Sequence, residues 1–261
     1  MPAIWRVVLA EGDYRRILPH HLHAALCSLL GETDEHHAQR KDWACGPVAG
    51  DGHYVFLSIR TLSDQRAEQL FQRARVGTSV VLGSHETMIV RVPELVSSAT
   101  WSELATPTST MHWDVDFLSP TAISVGRRFS PMITPTALIG SLSRRWESAT
   151  DAWLPRFTQE EAAKVWVAAL RGRTVIERIP HGRRGMADKV IPGFVGQMTL
   201  RTDDRMVAAA TDCLLRFAQF SGVGVGVNHG YGTVMVKPAP AGPFMCDTPG
   251  RLVRHRKPVF A

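Results

Sequence analysis

Apolar and polar positions alternate along Ala3–Leu9, with Trp5, Val7 and Leu9 on one side, and that period predicts a first strand. Pro19 then opens a segment whose apolar residues Leu22, Ala25, Leu26 and Leu29 recur at helical spacing, with Gly31 as its stop. Tyr54–Ile59 is dense in strand formers and predicts a buried strand. Ser63-Asp64 can cap a helix running to about Arg73, with Ala67, Leu70 and Phe71 inward. Val80–Leu82 and Thr87–Val92, broken at Gly83-Ser84, predict a terminal strand or hairpin. This order fits the split βαββαβ pattern of a ferredoxin-like unit, placed at residues 1–96.

The stretch from Val96 to Ser109 is rich in Ser, Thr, Ala and Pro and reads as a linker, placed at 97–111. The pattern then restarts, over 112–240. Trp113–Leu118 predicts a strand, and Thr136–Trp146 a helix with Leu138, Ile139 and Leu142 on one face. Thr158 reads as the cap of a further helix toward Leu170. Thr174–Ile179 and Phe194–Leu200 predict strands flanking a basic loop. A helix from Asp203-Asp204 through Phe217 and a last strand at Thr233–Val236 complete a second unit. The predicted class is α+β, with two tandem ferredoxin-like domains and a basic tail at 241–261.

Composition narrows the function classes. No stretch of the 261 residues approaches the roughly 20 apolar positions of a membrane helix. The N-terminus lacks a signal-peptide layout, and Cys27, Cys45, Cys213 and Cys246 stand singly, so a reduced cytoplasmic setting with neither metal nor cofactor is expected. A net charge of +6 favours polyanionic partners, and the basic pairs adjoin aromatic or glycine residues. These pairs are Arg127-Arg128 before Phe129, Arg144-Arg145 before Trp146, and Arg183-Arg184 between glycines; with Lys189 they are the candidate phosphate contacts.

The segment Ser221–Gly232 invites comparison with a dinucleotide fingerprint, but its order is wrong. A Rossmann loop follows a strand and opens a helix, whereas here a helix precedes the glycines and a strand follows. Glycines let a loop approach a phosphate backbone closely, so Gly222, Gly224, Gly226, Asn228 and His229 are read as RNA-binding candidates.

The run from Leu214 to Val234, with Leu-Leu-x-Phe-Ala-x-Phe-Ser-Gly-Val-Gly and then Gly-Tyr-Gly-x-Val, resembles the C-terminal glycine-rich motif of the CRISPR repeat-processing endoribonucleases of the RAMP superfamily. Phe117–Thr121, Leu138–Trp146 and Ile191–Gly196 are similar to the strand, helix and strand entry of that family's second domain. Leu26–Leu30, His36-His37 and Lys41–Trp43 fit its first-domain helix, histidine and basic loop. The resemblance implies a metal-independent cut in CRISPR repeat RNA of precursor transcripts. The RNA's own 2′-hydroxyl attacks, leaving a 2′,3′-cyclic phosphate and a 5′-hydroxyl. It also implies His36, His37 and Lys41 as catalytic residues, without deciding between the histidines. His20, His21 and His23 form the second candidate cluster. The alternative is a non-catalytic repeat-binding subunit; a homodimer and membership of an interference complex stay open. A generic RNA-binding protein of the same fold would carry stacking aromatics on a central strand, which Tyr54-Val55-Phe56 matches poorly.

Overall fold

The computed structural model describes residues 1–10, 12–31, 41–154, 157–179 and 189–239. It is an α+β protein built on two antiparallel sheets of ferredoxin-like topology. The first half runs through β1 (Ala3–Leu9), α1 (Pro19–Leu29), β2 (Trp43–Cys45), β3 (Ala49–Gly50), β4 (Val55–Thr61) and α2 (Asp64–Arg73). A hairpin of β5 (Ser79–Leu82) and β6 (His85–Met88) precedes β7 (Glu94–Ser98) and α3 (Trp101–Ala105). The strand order is β2-β4-β1-β7. Alternation aims Val7, Leu9, Leu57 and Ile59 at α1 and α2, where they bury with Leu22, Leu26, Leu70 and Trp43.

Two expectations change in this half. The closing strand is Glu94–Ser98, paired with β1, and of the two readings of the preceding region, terminal strand or hairpin, the hairpin is observed, over Ser79–Met88 and against α1. The stretch expected as a linker thus holds the last residues of that strand and also α3, whose Thr100 and Glu103 form a capping box. Arg216 anchors this connection, donating to the carbonyl oxygens of Glu103, Leu104 and Thr106.

The second half contains β8 (His112–Thr121), the hairpin β9 (Ile123–Val125) and β10 (Arg128–Ser130), α4 (Pro135–Ala149), α5 (Gln159–Ala162), β11 (Trp166–Ile179), β12 (Lys189–Arg201), α6 (Arg205–Ser221) and β13 (Val234–Pro238). Its sheet order is β11-β12-β8-β13. The helix expected from Thr158 toward Leu170 stops after one turn, and β11 begins at Trp166 because that segment pairs residue by residue with β12. Trp113, Trp146 and Phe217, each no more than 1% exposed, centre this core. Emptying a site such as Phe217 costs roughly 3–5 kcal/mol. An exposed pair such as Arg6–Glu94 contributes less than about 1 kcal/mol, so the core decides the fold. Trp113 donates from Nε1 to the buried Asp212, which also accepts from Arg216 and the Thr108 N–H.

The halves share a buried interface. Arg60 lies on the sheet face turned away from α1 and α2, and is 5% exposed. It donates through Nε to the Gln219 carbonyl (2.9 Å) and through Nη1 to Thr233 Oγ1 (3.4 Å). Burial lowers its pKa from the usual arginine value. Leu62 of the first half joins the second half's core, with Ile4 packed against it.

Candidate active site at the domain interface

Pro19 starts α1, and helical spacing then sends its three histidines to two sides. His20 and His21 stack edge-on (centroids 4.2 Å) toward β5, lining a cleft of about 350 Å³ with Ser79, Val80, Val81 and Gly83. His20 Nδ1 is buried without a hydrogen-bond partner, and burial, then His21, lowers its pKa. His23 faces the second half. Among the described residues no group of three His, Cys, Asp or Glu side chains is arranged to hold a metal ion.

His23 meets the glycine loop. Its Nδ1 lies 3.1 Å from the Asn228 carbonyl oxygen, and its ring stacks on His229 at a 4.2 Å centroid separation and a 9° interplanar angle. A carbonyl only accepts, so Nδ1 carries the proton and Nε2 the lone pair of the neutral ring. Nε2 lies 3.5 Å from Cys27 Sγ, a weak contact, and Lys41 Nζ approaches the same sulfur at 3.7 Å. Lys41 also stands 5.3 Å from the centroid of the buried Trp43 ring, within cation–π range.

The Trp43 carbonyl receives donors from the second half at two places. Asn228 Nδ2 donates to it at 2.6 Å and Arg145 Nη2 at 3.2 Å. The Cys45 thiol donates to the Val227 carbonyl, and burial pushes its pKa up to about 12. A one-turn 3-10 helix, Val227–His229, is thereby seated between α1 and β2.

The glycines give this loop its path. Gly224 and Gly232 have φ of +78° and +67°, and a Cβ at either would overlap a carbonyl oxygen, that of Ala122 or of Val223 respectively. Gly222 closes α6 and is buried, and Gly226 caps the 3-10 turn. Internal packing thus accounts for the need for glycine at Gly222 and Gly224, while Gly224 and Gly226 stay half-buried. Asn228 and His229 remain half-buried at the domain junction.

The other candidates are scattered. Arg127 and Arg128 are exposed at the β9–β10 hairpin, which Phe129 ties to Ala122, Ile191, Tyr231 and Val225, beside the glycine loop. Arg144 is exposed on α4. Its neighbour Arg145 instead turns into the interface, and burial pushes its pKa down to about 10 against the pull of Asp42. Lys189 opens β12 opposite Ile179. His36, His37, Arg183, Arg184, Cys246 and the basic tail lie outside the described residues. The pairing of His23 with His229 and the seat of Asn228 on Trp43 had no signal in sequence, because 205 residues separate His23 from Asn228.

Among the described residues no helix is long and apolar enough to cross a membrane. No curated protein sequence matches the chain. Residues 115–234 match the family model of CRISPR-associated endoribonuclease Cas6. A solved Cas6 product complex is 25% identical, with a TM-score of 0.74 over 90% of this chain and 99% of that one. Thermus thermophilus Cas6 is 24% identical, with a TM-score of 0.66 over 91% of this chain and 98% of that one. A RAMP protein described as binding different RNA substrates, 11% identical with a TM-score of 0.54 over 90% and 99%, shares the fold alone. Over residues 115–234 the chain is thus similar to the CRISPR-associated endoribonuclease Cas6 family, and its tandem ferredoxin-like fold is similar to that of solved Cas6 proteins.

Proposed function

We propose that the protein binds CRISPR repeat RNA and cuts precursor transcripts by metal-independent transesterification. The observation that carries this reading is the convergence of His23 and Lys41 from one half with the glycine loop of the other. The similarity to a Cas6 product complex supports it.

The chemistry needs three services. A base removes the 2′-proton, the 2′-oxygen attacks the adjacent phosphorus, and the P–O5′ bond breaks as an acid protonates the departing 5′-oxygen. A cation meanwhile stabilises the crowded phosphorane. Imidazole suits the proton transfers because its ordinary pKa of about 6.5 keeps both forms accessible near neutrality. Neutral His23, protonated at Nδ1, offers Nε2 as the base, and an incoming hydroxyl can displace the weak Cys27 contact. Lys41 supplies the positive charge. His36 or His37, in the sequence between α1 and Lys41, supplies the acid. Arg127, Arg128 and Arg144, with Arg183, Arg184 and Lys189, grip phosphates and hold the repeat in register.

A repeat RNA with a 2′-deoxy sugar at the scissile nucleotide tests the nucleophile. It should bind with unchanged affinity and stay whole. Cleavage of that RNA at the same bond would exclude 2′-oxygen attack.

A further inference from the structure

We propose that Asn228 and His229 are positioning residues: the second domain, through its glycine loop, fixes the tautomer and ring plane of a histidine carried by the first. This rests on the assignment of His23 to the cleavage chemistry.

Four contacts meet at one point. The Asn228 carbonyl accepts the Nδ1 proton of His23, so it selects the ring form whose lone pair sits on Nε2. The His229 ring lies almost parallel to the His23 ring, opposing its rotation about χ2. The Asn228 side chain is itself held by the Trp43 carbonyl, which belongs to the strand following the Lys41 segment. The Cys45-to-Val227 contact seats the start of the same turn. The loop therefore touches the histidine, and also the strand that follows the lysine, so both are set relative to each other only when the two halves are docked. An acceptor on the remote ring nitrogen fixes the tautomer of an imidazole; at metal-bound histidines its loss typically costs about 10- to 100-fold, and an effect of that size is expected here. Stacking needs a flat ring at 229 but no proton there. Phenylalanine can therefore replace histidine in this role.

The test uses the full chain and its cognate repeat RNA, comparing single-turnover cleavage with equilibrium binding. Asn228→Ala and His229→Ala should each slow cleavage by about 10- to 100-fold while leaving affinity within about threefold, and His229→Phe should recover most of the rate. Wild-type rates in both alanine variants would overturn the proposal. So would an affinity loss equal to the rate loss, which makes His229 an RNA contact. A His229→Phe variant as slow as His229→Ala would also overturn it, assigning proton transfer to that ring. Nitrogen NMR of the imidazoles, read on the same variants, should show His23 protonated at Nδ1 in the wild type and a tautomer mixture in Asn228→Ala, where the carbonyl that accepts the Nδ1 proton has lost its anchor on Trp43. An unchanged tautomer contradicts the proposal even if the variant's activity is low through misfolding. His23→Ala run alongside separates the two claims: if it cleaves normally, the site assignment fails; if it alone is inactive, only the positioning role fails.

Discussion

His23→Ala is expected to slow single-turnover cleavage of repeat RNA by about 10²- to 10⁴-fold, the range of a lost general acid or base. The ring is half-buried and makes its contacts with Cys27, Trp43 and the second half's Asn228 and His229, on a side of α1 next to the Leu22, Leu26 and Leu29 side that builds the core. The variant should therefore fold, and RNA affinity should stay within about threefold of wild type. The same substitution at His21 should be nearly silent for cleavage, since that ring lies against Gly83 of the β5–β6 hairpin. A reversed ranking would move the chemistry to the other side of α1.

The second large effect is structural. Gly232→Ala places a Cβ on the Val223 carbonyl oxygen in a residue held at φ +67°. The left-handed backbone alone costs roughly 1–2 kcal/mol, and relief of the overlap must displace the loop, so a loss of about 2–4 kcal/mol in urea unfolding is expected. Because the loop carries Asn228 and His229, cleavage should fall more than stability alone explains at temperatures where the variant stays folded. Wild-type stability and activity together would show that the path of the loop does not depend on this glycine.

Residues buried in repeating patterns were legible in the sequence. Ala3–Leu9, the α4 face of Leu138, Ile139 and Leu142, and the long apolar side of α6 each announce their element through the side that meets the core. The elements misread are those whose state is set by neighbours. Glu94–Ser98 is exposed along its whole length, so it has no alternation, and only its pairing with β1 makes it a strand. Trp43–Cys45 is buried at every residue and too short to show a period. The start of β11 follows a genuine capping box at Thr158, but thirteen paired positions with β12 overrule further helix.

The candidate site divides the same way. Residue types and local spacing pointed to histidines around α1, to Lys41 and to the glycine loop as separate features. Which histidine meets which loop is a question of domain docking. It is answered by Arg60, Arg145 and Asn228 donating across the junction, partners more than 100 residues apart in the chain. Arg145 illustrates the limit. Beside Arg144 it reads as half of a phosphate-binding pair, yet one helical step carries it from solvent into the interface.

The most direct test of the proposed function is incubation of the purified full chain with its cognate repeat RNA in excess EDTA. Cleavage at one position, leaving a 2′,3′-cyclic phosphate upstream and a 5′-hydroxyl downstream, is the predicted result. RNA that stays intact while fully bound would contradict it and leave a repeat-binding protein without catalysis.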